Sequence, residues 1–170
     1  YNAFALPGGY IFIFNKLYNE LKDDEDMLAA IIAHEIGHIA ARHSIKKLQS
    51  SIGMNALILL GVFIADDKKS LADVDNALNT LMASYSREDE VMADKLSIRY
   101  VKEAKYNPVG VLKALMKLQE VYKKGPIRPY VEDKYRTHPY LSIRIAKAKE
   151  ALYGKMDFKS YINMPNDSNR

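Results

Sequence analysis

The sequence predicts a mainly α-helical domain with a small β-hairpin (an α+β fold), and three observations carry that prediction. Apolar residues recur at spacings of three and four through most of the chain, the period of an amphipathic helix. Near the start, two runs rich in aromatic and aliphatic residues flank Pro7-Gly8-Gly9, a strong hairpin signal. The length of 170 residues, with 48% hydrophobic and 27% charged, suits one domain with its own core.

The hairpin spans Asn2 to Phe14, with NAFAL and YIFIF as its strands. Asp23 to Asp26 then place acids at a helix start, where the helix dipole favours them. Leu28, Ile31, Ile32, Ile36 and Ile39 give that helix its apolar period, and the spacing carries it to about Leu48. The most apolar stretch, Gly53 to Ala65, falls short of the ~20 residues a membrane span needs and reads as a buried core helix. Asp66-Asp67-Lys68-Lys69 marks a loop. Leu71, Val74, Leu78, Leu81, Met82 and Tyr85 predict a second long helix that continues through Tyr100. Asn107-Pro108 caps and opens a third, to about Tyr122. Lys124 to Thr137 reads as an irregular connection, and His138-Pro139 starts a last helix ending near Tyr153-Gly154. The polar tail from about Asn163 is expected to fray.

With no repeat and no composition break, residues 1–170 read as a single domain. The chain opens on Tyr1 and not Met, so it is expected to be part of a longer protein, and missing leaders or anchors carry no information. Zero cysteines exclude a disulfide framework, a thiolate metal site and a cysteine nucleophile. The net charge of +4 comes from lysines mixed with acids, without an aromatic platform for bases, which argues against nucleic acid as a partner.

His34-Glu35-Ile36-Gly37-His38 lies inside the first long helix. Positions four apart differ by only ~40° around a helix axis, so both imidazoles project from one face. That is the spacing that grips a metal ion, with Glu35 alongside as a base for a metal-bound water. Gly37 costs ~1 kcal/mol against alanine within a helix, which points to something packed closely there. A third histidine ligand ten residues after the first is missing, since Ser44 stands at that place. His43, on a continuous helix, points about half a turn away and reads as structural.

The third ligand must therefore come from another helix. In SREDEVMAD, Glu90 and Asp94 are four apart and flank the small Ala93, which permits close helix approach. Glu90 is the candidate ligand, and Asp94 the acceptor for the far nitrogen of a ligand imidazole. Glu88 and Asp89 read as solvated acids. His138, placed at a helix start, is either a plain cap or a neutral imidazole able to donate or ligate, with Arg144 six residues on.

Four blocks in this order, NAFALPGGYIFI, HEIGHIAARH, SREDEVMAD and THPYLSIRI, cover almost the whole chain. On them the sequence resembles the zincin-type, gluzincin metallopeptidases of the HtpX and BepA kind, metallopeptidase family forty-eight. That family includes prenyl-protein endopeptidases and Oma-type proteases, and the bacterial BepA-like branch is the nearest in pattern. The resemblance implies one zinc ion per chain on His34, His38 and Glu90, Glu35 as general base, and Asp94 supporting a ligand histidine. It implies that the edge of Ala3, Phe4, Ala5 and Leu6 lies beside the cleft to pair with extended substrate. It also implies that His138 acts as a switch or oxyanion helper; Arg144, six residues on, is expected to join it in stabilising the oxyanion.

The expected function is a zinc-dependent metalloendopeptidase acting on unfolded or misassembled proteins in quality control. By resemblance the setting is the cell envelope, with membrane association through parts outside this chain. Two other classes stay open: a latent or slow metal-bound, chaperone-like binding module, and a non-catalytic structural metal domain. An open position on the metal separates catalysis from both.

Overall fold

A computed structural model describes residues 1–52, 84–124, 138 and 140–154. The expectations for Gly53–Ala65, the loop after it, Leu71–Met82, most of the connection before His138 and the tail lie outside these residues. Strand β1 (Ala3–Leu6) pairs antiparallel with β2 (Tyr10–Ile13), Phe4 facing Phe12 and Leu6 facing Tyr10. Gly8 and Gly9 close the turn at φ of 98° and 92°, a conformation that costs other residues strain. The Phe4 and Phe12 rings stack at 5.1 Å on the outer face, while Ala3 and Ala5 are buried inward.

A short helix that the sequence reading lacks, α1 (Asn15–Leu21), follows the hairpin. Its two buried residues, Leu17 and Leu21, form one apolar pair, too little for a period to register. Helix α2 (Glu25–Ala40) starts as expected: Asp24 accepts a hydrogen bond from the Met27 amide at 3.0 Å, and Glu25 and Asp26 fill the first turn.

The end of α2 differs from expectation. It stops at Ala40 and not near Leu48, Arg42 turns at φ 55°, and a separate helix α3 (His43–Ile52) begins. The break turns Ser44 inward, where its hydroxyl meets the Tyr85 hydroxyl at 2.8 Å and donates to the Ala5 carbonyl at 3.3 Å. Neither glycine nor proline announces it. The second long helix expected to continue through Tyr100 does not include residues 84–86, which are not helical, and α4 (Arg87–Glu103) starts after them. Ser86 caps α4 by accepting from the Asp89 amide at 3.1 Å. Helix α5 (Val109–Lys124) is entered through Asn107, whose side chain accepts from the Val109 amide at 3.0 Å. Helix α6 (Leu141–Tyr153) starts after Tyr140, so His138 lies outside its first turn.

α2 is the central element, touching α4, α5, α3, α1 and both strands, and α6 packs against α4 and α5. Leu17, Leu21, Ile31, Val101, Leu115 and Leu118 belong to the core. Where α2 crosses α4 the chains nearly touch: a Cβ on Gly37 would stand 3.0 Å from the Ala93 carbonyl oxygen and 3.1 Å from its Cα. Ser97 adds a hydrogen bond to the Ala30 carbonyl at 2.9 Å. The packing suspected at Gly37 is thus the second helix itself. The mainly helical, small-sheet architecture with a histidine-bearing helix against a carboxylate-bearing one is a zincin-like arrangement. No helix among the described residues is long and apolar enough to cross a membrane.

Candidate metal centre

The close crossing of α2 and α4 brings His34 and His38 against Glu90. Glu90 and His38 are 0% exposed and Glu35 is 1% exposed, so the polar groups meet without solvent. The two Nε2 atoms lie 3.1 Å apart. Glu90 Oε1 is 3.4 Å from His38 Nε2, and Glu90 Oε2 is 3.5 Å from His34 Nε2. His138 joins them from the segment before α6, its Nδ1 at 3.2 Å from His34 Nε2 and 2.9 Å from Glu90 Oε1. One ligand atom from each of these four residues falls within 4.8 Å of every other.

The far nitrogens fix which ring atoms face inward. His34 Nδ1 lies 2.9 Å from Asp94 Oδ1, which can only accept, so it is Nε2 that gives up its proton and offers a lone pair when the ring is neutral. Asp94 is in turn gripped by Arg144, with Nε and Nη2 each 2.8 Å from a carboxylate oxygen. Arg144 Nη1 lies 2.6 Å from Glu90 Oε2, an ion pair that sets a guanidinium charge against that oxygen. Beyond His38, the His43 ring approaches with Nδ1 to Nδ1 at 3.0 Å, and Tyr85 stacks on the His38 face at 4.0 Å.

Electrostatics separate the two inner histidines. Burial and the Arg144 charge pull His34 down, but hydrogen bonds to Asp94 and Glu90 outweigh them, and its pKa is raised to about 9. Burial dominates at His38 and pushes it down to about 2. Although burial disfavours their charged forms, Arg144 holds both Asp94 and Glu90 below the ordinary carboxylate range.

The two Nε2 atoms converge at 3.1 Å beside the Glu90 carboxylate, and this buried set of nitrogen and oxygen ligand atoms from His34, His38, Glu90 and His138 fits a cation. Nitrogen and oxygen donors with no thiolate suit a borderline divalent ion. Glu35 flanks the centre. Its Oε1 is 3.3 Å from His138 Nε2, and its Oε2 is buried without a hydrogen-bond partner. Beside it is a cavity of about 20 Å³, lined in part by Ala3, His34, His138 and Arg144, which is room for one water.

The structure brings together His34, Glu35, His38, Glu90, Asp94, His138 and Arg144. Several details depart from the sequence reading. Arg144 does not face open space beside a developing oxyanion, because its guanidinium is closed on Asp94 and Glu90. His138 is outside the helix, so the dipole argument for it does not apply. His43 does not point away, because α2 ends before it and α3 folds it back onto His38. Asp89 is not merely solvated, since its Oδ1 is 3.2 Å from His43 Nε2, whereas Glu88 is exposed and pairs with Arg87. Tyr85 escaped notice, since an aromatic at helical spacing reads as core. At the hairpin, the carbonyls of Ala3 and Ala5 point away from β2 and accept from His138 Nε2 at 3.2 Å and Ser44 Oγ at 3.3 Å.

The sequence model for "Peptidase family M48" matches residues 1–152. The mitochondrial metalloendopeptidase OMA1 of Schizosaccharomyces pombe is 31% identical over 154 residues, covering 89% of this chain and 43% of that protein. The β-barrel assembly-enhancing protease of Escherichia coli is 26% identical over 159 residues, 87% of this chain and 31% of that protein. Metalloprotease LoiP of Escherichia coli is 27% identical over 125 residues, 71% and 48% of the two chains. The chain thus spans less than half the length of these curated relatives.

Proposed function

The chain belongs to peptidase family M48, and on that premise we propose that it is the catalytic domain of a zinc-dependent metalloendopeptidase. The observation that carries this reading is the meeting of His34 Nε2, His38 Nε2 and the Glu90 carboxylate in a buried spot, with Glu35 alongside. His34, His38 and Glu90 would hold the zinc ion, which would supply a Lewis acid for the scissile carbonyl and lower the pKa of bound water to about 7.

Glu35 accepts the proton of the attacking water on its donor-free Oε2 and returns it to the leaving amine. Asp94 holds the His34 ring so that Nε2 faces inward. Arg144 neutralises Asp94 and Glu90 together and keeps them apart from solvent. An extended substrate pairs with the outward edge of β1, displacing the side chains that now hold the Ala3 and Ala5 carbonyls.

Clients are unfolded or misassembled proteins, and the setting is quality control at a membrane or cell envelope. The names of the mitochondrial and β-barrel assembly relatives support that choice. A latent resting state is favoured by one specific observation: His138 Nδ1 lies among the ligand atoms, where a fourth donor would exclude water. In this reading His138 shuts the site at rest and, once displaced, donates to the oxyanion. The test is metal analysis of purified protein combined with casein cleavage before chelation, after chelation and after zinc is restored. One zinc per chain and cleavage that follows the metal are expected. Protein that takes up no zinc on reconstitution overturns the proposal.

A further inference from the structure

The two inner histidines are backed differently. His34 Nδ1 meets a carboxylate, Asp94. His38 Nδ1 meets another imidazole, His43 Nδ1, at 3.0 Å, and the opposite nitrogen of that ring, Nε2, is 3.2 Å from Asp89 Oδ1. The donors along this chain can be assigned from its outer end. A carboxylate only accepts, so Asp89 Oδ1 at 3.2 Å favours the His43 tautomer with its hydrogen on Nε2. In a neutral ring His43 Nδ1 is then a lone pair, and His38 Nδ1 must donate to it. His38 Nε2 is left as a lone pair aimed at His34 Nε2 and Glu90. Each link determines the next, and only one tautomer of His38 satisfies all of them.

The geometry around the relay holds it in place. His43 is 4% exposed and engages both ring nitrogens. The Tyr85 ring lies over the His38 face at 23° from parallel, which resists rotation of the imidazole. Asp89 is in the first turn of α4, one residue before Glu90, so the same turn supplies an inward carboxylate and the outer anchor of the relay.

We propose that His43 and Asp89 are positioning residues for the metal, a relay that presents the Nε2 lone pair of His38 to the site. This rests on the reading of His38 as a ligand and adds how its orientation is set. A loss of outer support of this kind weakens metal binding by ~10–100-fold.

The test is zinc affinity by chelator competition, with cobalt(II) absorption as a signature of ligand geometry, on wild type, His43→Leu, His43→Asn and Asp89→Asn. His43→Leu should bind zinc ~10–100-fold more weakly and change the cobalt spectrum. His43→Asn should recover most of the affinity, because its amide oxygen can accept from His38 Nδ1. Asp89→Asn should weaken binding without altering volume, and it carries the test if His43→Leu fails to fold. Melting of the metal-free proteins identifies a folding defect. Wild-type binding with unchanged affinity and spectra in the folded variants overturns the relay alone. Wild-type protein that takes up no metal overturns the ligand assignment and the relay with it.

Discussion

His34, His38 and Glu90 stand on two helices locked by a backbone contact, whereas His138 stands outside any helix and reaches the same spot through its ring. The α2–α4 crossing brings Gly37 against the Ala93 main chain, and each helix is capped by its own sequence. His138 is held by contacts to the Ala3 carbonyl, Glu35 and Glu90, at 3.2, 3.3 and 2.9 Å. A hydrogen bond contributes a net ~0.5–1.5 kcal/mol, so a few of them can be exchanged for substrate, while a close-packed crossing cannot. The groups assigned as ligands are fixed by packing, and the group proposed to move is tied by exchangeable bonds.

The hardest blow to the fixed side is Glu35→Gln, which should lower cleavage of an unfolded substrate by ~10²–10⁴-fold while zinc content stays at one per chain. Near-normal turnover would remove Glu35 from the chemistry. Next in size is Asp94→Ala, expected to cost ~10–100-fold in zinc affinity by chelator competition. Glu88→Ala, at an exposed residue paired with Arg87, should leave affinity unchanged, and the reverse ranking would reassign the ligand face of α4.

On the movable side, His138→Ala should raise basal cleavage by roughly 5–30-fold, the population ratio of one or two kcal/mol. A fall in rate would show that oxyanion donation outweighs closure, and identical kinetics would mark His138 as structural. The smallest effect is a proton count. With its pKa raised to about 9, His34 carries a proton at pH 7 in metal-free protein. Zinc binding should therefore release about one proton there, and affinity should climb with pH until about 9. Calorimetry in buffers of differing ionisation enthalpy measures that release.

Periodicity and turn chemistry made the hairpin, α2, α5 and α6 legible, and the His34, Glu35, His38, Glu90 and Asp94 constellation was legible from helical spacing alone. What escaped had a common physical cause, chain direction set by tertiary contacts. Arg42 turns without a glycine because Ser44 and His43 gain buried partners beyond it. A half-turn argument applied to His43 fails once the helix it assumes has ended. Ser86 carried a legible cap signal, with Asp89 three residues on, but the apolar period through Tyr85 masked it. The engagement of Arg144 with two carboxylates lies in contacts that no local pattern encodes.

An unpaired strand edge is a template for any extended chain, including another copy of the same protein. At rest β1 offers little to such a visitor, since the carbonyls of Ala3 and Ala5 already accept from His138 and Ser44. In the proposed switch, withdrawal of His138 would bare the Ala3 acceptor as the cleft opens. The edge so exposed would accept whichever strand arrives first, client or sister molecule. The bond proposed to keep the site shut would therefore also guard against self-association, and a His138→Ala variant should trade idle safety for a tendency to aggregate.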